Sequence, residues 1–219
     1  MAYFLTLDEA IDEVQVLMND PGGLIFTDAL ITNWIKQAAT DISSKTLCYE
    51  TNDDDAIQLV DGTMEYTTPT DCIKVYAAVA CKKGTPNTAQ RGLIKIHPKQ
   101  IAHLTSVASG DPIYWYEFGE KVGFYPVWAT GGTVDHVGLL YSAVTEDITK
   151  ISSQYQPFAI LYACHKAKLM DGKPAQAAQY YQQYLNSLIF HRTDLYERGV
   201  DAKDEFKMPD RTVRVGQQG

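Results

Sequence analysis

The stretch Asp111–Pro126, DPIYWYEFGEKVGFYP, constrains the fold more than any other. Ile113 to Phe118 is dense in aromatic and β-branched residues, which suit a half-buried pleated surface. Gly119-Glu120 puts glycine first in a two-residue turn, the type II′ preference. Lys121 to Tyr125 returns, and Pro126 stops the strand because proline has no N–H for a ladder. Helical periodicity lies on both sides of this hairpin. The expected class is therefore α+β, with a β-module inserted into a helical unit.

Thr6-Leu7-Asp8-Glu9 is a capping-box pattern that opens the first helix, with Ala10, Val14, Leu17 and Met18 on one face. Asn19 to Gly23 ends it. Thr27 caps a second helix, Phe26 and Ile31 fit a hydrophobic staple, and Leu30, Trp34, Ala38 and Ile42 recur at helical spacing to about Leu47. Helical periodicity resumes near Ser153, with Pro157 in a first turn and Phe158, Leu161, Tyr162, His165 and Leu169 sharing a face. Asp171-Gly172-Lys173-Pro174 separates this helix from the last. Ala177, Tyr181, Tyr184, Leu185, Leu188, Leu195 and Tyr196 mark that last helix, about 24 residues or ~36 Å long, with Gly199 as its C-cap. Two helices from each chain end are expected to close a discontinuous four-helix bundle.

The middle reads as six or seven strands joined by short connections, an antiparallel sandwich or small barrel. Asn52-Asp53-Asp54-Asp55 reads as a break. Ile57–Val60, Asp61-Gly62 and Thr63–Thr67 read as a hairpin. Ile73, Val75, Ala77, Val79 and Cys81 alternate as the apolar face of a strand, and Lys82 to Gly92 reads as a polar loop. Leu93–Ile96 is a short strand, Pro98–Leu104 a helical turn, and Val134–Tyr141 a strand with Val137, Leu139 and Tyr141 on one face. The expected units are a helical domain of 1–50 plus 152–198, a β-module of 55–146 and a C-terminal arm of 199–219. The arm lacks a coherent apolar face but carries Phe206, Met208, Val213 and Val215, so it reads as a segment that orders against a partner.

The net charge is 19 − 27 = −8. A sequence-reading DNA binder needs a basic footprint, and an anionic membrane attracts basic segments, so neither partner is expected. No signal peptide is expected, and no window approaches the ~20 apolar residues of a membrane span. Cys48, Cys72, Cys81 and Cys164 lack CxxC spacing and read as free thiols of a reducing cytosol.

Catalytic patterns are absent: there is no GxSxG, P-loop, GxGxxG or HExxH. Asn52–Asp55 with Asp61-Gly62 lacks the alternating oxygens and terminal Glu of a calcium loop. His97 and His103 lack a third ligand at a zinc-like spacing. Cys164 and His165 are adjacent on a helix and point apart, which rules out a local nucleophile–base pair. Neither metal nor cofactor is expected, and the chain does not read as an enzyme. Tyr180, Tyr181 and Tyr184 could form a stacking platform for bases, but their helical spacing fits core or subunit contact better; Tyr181 and Tyr184 are the interface candidates.

Three features in order carry a family resemblance: TLDEAIDEVQVLMND…FTDALITNWIKQAATDI, then YTTPTDCIKVYAAV with GDPIYWYEFGEKVGFYP and GLLYSAV, then PFAILYACHKAKLMDGKPAQAAQYYQQYLNSL. Together they resemble tailed-phage head-to-tail connector proteins, the adaptor or tail tubular protein A class. Thr68 precedes the proline of YTTPTD where that class more often has Leu. The resemblance implies a virion protein of the neck, assembled in the host cytoplasm. It implies a homo-oligomeric ring, usually of twelve copies, between the portal protein and the tail nozzle or tail tube. Viral DNA would pass through without specific binding. It also implies that the arm inserts into the portal, with Phe206, Met208, Arg211 and Arg214 as anchors. Two other readings compete: a neck or stopper protein lower in the connector, and a carbohydrate-binding or hydrolytic β-module using Trp115, Trp128 and Tyr114.

Overall fold

A computed structural model describes residues 6–82, 88–101 and 109–204. The order is α1 (Leu7–Met18), α2 (Asp28–Thr46), β1 (Glu50–Gln58), β2 (Glu65–Thr67), β3 (Cys72–Lys82), β4 (Thr88–Gly92), β5 (Ile94–Lys95), α3 (Pro98–Ile101), β6 (Tyr114–Phe118), β7 (Lys121–Tyr125), β8 (His136–Ala143), α4 (Gln156–Met170) and α5 (Pro174–Asp204). A 3₁₀ turn at Ile148–Lys150 precedes α4. The protein is mixed α+β, with helices and two mostly antiparallel sheets.

The capping box forms with both arms: the Glu9 N–H donates to Thr6 Oγ1 at 3.2 Å, and the Thr6 N–H donates to Glu9 Oε2 at 2.8 Å. α1 buries Ala10, Ile11, Val14 and Met18, while Leu17 is exposed. α2 buries Ile31, Ile35, Ala38, Ala39 and Ile42: Ala38 and Ile42 lie inward as expected, while Ile31 and Ile35 take the places expected of Leu30 and the partly buried Trp34. In α4 Gln156 is wholly buried at the start, followed by the small side chains Ala159, Ala163, Cys164 and Ala167, with Ile160 beside them. The expected face of Phe158, Leu161 and Tyr162 packs only partly buried at the edge of that core, and Leu169 is exposed. Small residues let neighbouring backbones approach closely on several sides, so the central helix needs no single large apolar stripe. Residues of α1, α2, α4 and α5 enter one buried cluster, closed by Tyr184 and Leu188.

The hairpin stands as the sequence predicts. Tyr114–Phe118 pairs antiparallel with Lys121–Tyr125, Phe118 opposite Lys121, and Gly119 has φ 61°. Opposite Tyr116 lies Gly123, where a Cβ would run into the tyrosine ring. Glycine there lets the ring lie flat over the partner strand.

One sheet has the order β1-β8-β3-β4 and the other β2-β7-β6-β5, with β5 and β6 parallel. Ile57, Val75, Ala78, Ala80, Val137, Leu139 and Tyr141 of the first meet Trp115, Val122 and Phe124 of the second in one cluster, separate from the helical one.

Four expectations for this region need correction. Asn52–Asp55 is no break but part of β1, an edge strand whose register shifts between Asp53 and Ile57. An edge strand with a bulge tolerates consecutive aspartates because one side and one face meet water. Asp61-Gly62 does turn the chain, the Thr63 N–H donating to the Val60 carbonyl at 3.0 Å, but β1 and β2 join different sheets. The turn is a crossing between layers, braced by the Tyr66 hydroxyl, which accepts from the Val60 N–H at 2.9 Å. β3 buries Val75, Ala78, Ala80 and Cys81, because register shifts at Cys72/Lys74 and Val75/Ala77 move the alternation to the other phase. Half of the expected polar loop is strand: β3 continues to Lys82, and Thr88–Gly92 pairs with it.

Candidate interaction surfaces

α5 contributes Ala177, Tyr184 and Leu188 to the buried residues and runs to Asp204, past the expected stop at Gly199. At ~1.5 Å per residue the helix runs about 24 Å from Leu188 to Asp204. Phe206, Met208, Arg211 and Arg214 lie outside the described residues.

Of the two tyrosines expected at a subunit interface, Tyr184 is 0% exposed. Its hydroxyl donates to Asp41 Oδ2 at 2.5 Å, and its ring packs edge-on against Tyr162 at 5.4 Å. Burial, and then the Asp41 carboxylate, push this hydroxyl far above the ordinary tyrosine range. Tyr184 is thus a core residue of its own chain. Tyr181, one turn earlier, is at the edge, its ring 4.8 Å from that of His165 and 6.0 Å from that of Tyr184. α2 presents a polar face, where Asn33, Lys36, Gln37, Thr40, Asp41 and Ser44, with Glu146 and Tyr162, line an open groove of about 580 Å³.

The loop between α1 and α2 offers a surface that periodicity does not reveal. The Asp20 carboxylate accepts from the backbone N–H groups of Leu24 at 3.2 Å, Ile25 at 2.9 Å and Phe26 at 2.8 Å. These donors, the Phe26 one foremost, hold its pKa below the ordinary value. Phe26 tucks inward against Trp34, and Gln15 Nε2 donates to Asp28 Oδ1 at 2.7 Å across the loop mouth. Leu24 and Ile25 point outward, 90% and 61% exposed. An apolar pair on so well-tied a backbone loses little freedom when it binds. The signal available in the sequence was an aspartate four to six residues ahead of three consecutive apolar residues.

The chemical candidates resolve into structural duties. His97 Nδ1 accepts from the Lys99 N–H at 3.2 Å, which helps start α3; His103 lies outside the described residues. His165 Nδ1 is 2.9 Å from the Ala177 carbonyl oxygen and links α4 to α5. The four cysteines are free; burial pushes the thiol of Cys72 up to about 11 and that of Cys164 up to about 12. Such thiols stay protonated at neutral pH and are poor nucleophiles. Among the described residues no group of three or more His, Cys, Asp or Glu could hold a metal ion, and no helix is long and apolar enough to cross a membrane. Trp115 is core and cannot stack on a sugar, while the Trp128 indole N–H donates to the Val134 carbonyl at 2.6 Å.

The described surface carries a fixed apolar knuckle and a polar helix face. The SU10 adaptor protein family matches residues 5–204, and the chain belongs to it. It is a phage adaptor protein with a structural role. No curated protein matches the chain.

Proposed function

We propose that copies of this chain form a ring in the virion neck, between the portal and the tail nozzle or tail tube, and extend the channel through which DNA passes. The finer likeness to the tail tubular protein A class belongs to this reading, as do a count of twelve and assembly in the host cytoplasm. The observation that carries it is the adaptor-family match over residues 5–204. The segment after α5 is the arm, and Phe206, Met208, Arg211 and Arg214 are its anchors in the portal. The helical unit and the β-module act as separate bodies of each subunit, and Tyr181 with the α2 polar face meets the neighbouring copy. A charge of −8 on each copy repels a passing duplex.

Capture of the full chain on immobilised portal tests the reading. Apolar anchors in a desolvated site cost at least ~2 kcal/mol each when lost, about thirtyfold in affinity. Phe206→Asp with Met208→Asp should therefore abolish capture while leaving the fold intact. Undiminished capture would move the role to a lower neck or stopper position, and a virion reconstruction placing the chain away from the portal would reject the ring.

A further inference from the structure

The two flanks of the helical unit differ in charge. α1 and α5 each pack against both α2 and α4, so they take opposite flanks of that pair. Asp8, Glu9, Asp12, Glu13, Asp20 and Asp28 are the charged side chains before Lys36, and all are acidic. Asp8 and Glu9 lie in the first turn of α1, where the positive end of the helix dipole favours carboxylates. Asp12 and Glu13 lie beyond it, and each stands four residues after another carboxylate, a spacing that disfavours the helix. Both are exposed, and neither makes an ion pair among the described residues. One turn on they give way to Val16, 68% exposed, and then to the Leu24-Ile25 knuckle. The α5 flank is the reverse. No side chain from Pro174 to Phe190 is charged, and Lys168, Gln176, Gln179, Tyr180 and Gln183 line a groove of about 480 Å³ between α4 and α5. Each of these five side chains carries a hydrogen-bond donor, and the nearby Asp171 is held by Lys173 at 2.7 Å. We propose that the α1 flank of one copy, with Asp12 and Glu13 beside Val16 and the knuckle beyond them, docks on the Lys168 and glutamine groove of the next copy.

Charge and height select the occupant. A chain of net charge −8 repels a second copy wherever carboxylates face each other. A face with one lysine, several amides and no carboxylate lets the acidic helix approach and supplies donors to it. The two faces also stand level. Cys164 of α4 interacts with Glu13 of α1 and with Tyr180 of α5, so the acidic face and the groove lie at one height on opposite flanks. Copies standing side by side therefore bring one against the other without a shift along the helices. The knuckle adds apolar area that is already fixed by Asp20 and loses little freedom on docking. A patch that meets an unlike patch on the next copy makes a heterologous contact, and such contacts close into a ring when the rotation allows. The inference rests on the ring reading: there Tyr181 of α5 faces the neighbouring copy, and α1 is the helix that the neighbour presents.

The test mixes two full-length chains, one carrying Val16→Cys and the other Gln179→Cys, and oxidises them mildly in concentrated solution and on immobilised portal. Bridges are mapped by peptide mass spectrometry, which sets the native thiols aside. The expected product is a 16–179 bridge between copies, formed about tenfold faster than 16–16 or 179–179 bridges. Lys168→Glu in the Gln179→Cys chain should slow it about tenfold, and adding Asp12→Lys with Glu13→Lys to the Val16→Cys chain should restore it. All three bridges at equal rates, or a 16–179 bridge indifferent to these charges, would overturn the proposal. Copies that a lysine cross-linker joins but that form no 16–179 bridge would overturn it too and leave the ring standing. Copies that no cross-linker joins in either setting would reject the ring itself, and the proposal with it.

Discussion

Tyr184 and Tyr181 are one helical turn apart, yet truncating them should have different consequences. Tyr184→Phe removes a hydrogen bond to a charged acceptor, worth about 1.5–3 kcal/mol. Asp41 keeps Lys45 at 2.7 Å and its side chain is 31% exposed, so water replaces the lost donor and the cost falls near the lower bound. For a chain of this length ~1 kcal/mol moves Tm by about 2–4 °C, so Tyr184→Phe should lower Tm by about 3–6 °C. Tyr184→Ala empties a wholly buried aromatic site against Tyr162 and should cost about 3–5 kcal/mol. Tyr181→Ala loses only edge stacking that water already reaches, less than about 1 kcal/mol. Urea unfolding followed by far-UV circular dichroism measures all three, provided the m-value holds. The assignment of Tyr184 to the core fails if Tyr184→Ala unfolds at the wild-type midpoint. It also fails if Tyr181→Ala is the costlier change.

Leu24→Asp with Ile25→Asp should leave stability within about 0.5 kcal/mol, since both side chains face water, but should block higher assembly in sedimentation with portal. Gly123→Ala should destabilise the β-unit by about 1–3 kcal/mol by forcing the Tyr116 ring off its partner strand, seen as a lower midpoint in near-UV circular dichroism. Burial raises the hydroxyls of Tyr116 and Tyr141 to about 12, and Tyr184 moves the same way. A raised folded-state pKa adds stability that is complete below the unfolded value of ~10 and is lost as pH climbs through the folded one. The urea midpoint should thus stay level from this cause between pH 7 and 9 and fall above ~10, less steeply in Tyr184→Phe.

Local chemistry was legible in the sequence wherever partners are close along the chain. The Thr6–Glu9 box, the turn at Gly119-Glu120, Pro157 in a first turn and the Asp171-Gly172 break all rest on contacts within a few residues. What was not legible depends on partners far away. The shift at Val75/Ala77 is set by pairing with β8, and no periodicity within β3 announces it. Asp61-Gly62 makes the same turn whether the flanking strands pair or part; that choice belongs to β7 and β8. Depth behaves the same way. Tyr181 and Tyr184 share a helix face, and only Asp41 and Tyr162, brought in from α2 and α4, decide which one is sealed. The knuckle at Leu24 and Ile25 was missed because apolar residues read as core until Asp20 is seen pinning their backbone outward.

The place where the two cores meet explains how helices so distant in sequence share one. The chain leaves the helices at Leu47 and returns at Thr145, and these passages lie side by side. Glu50 pairs with Ser142, the Ala143 N–H donates to the Tyr49 carbonyl at 2.9 Å, and the Thr145 N–H donates to Ser43 Oγ at 3.1 Å. Without the sheets, bringing α4 back to α2 would close a loop of about 100 residues, an entropic cost of about 4 kcal/mol. Once β1 and β8 are paired, their neighbouring ends deliver α2 and α4 already together, and most of that cost is carried by the β-unit. Damage to the sheet should therefore reach the helices although the clusters are separate. Gly123→Ala, buried among strands, should lower the unfolding midpoint of the helical signal as well as that of the aromatic one. If the helical midpoint held while the aromatic one fell, the two units would be thermodynamically independent and this account of their coupling would be wrong.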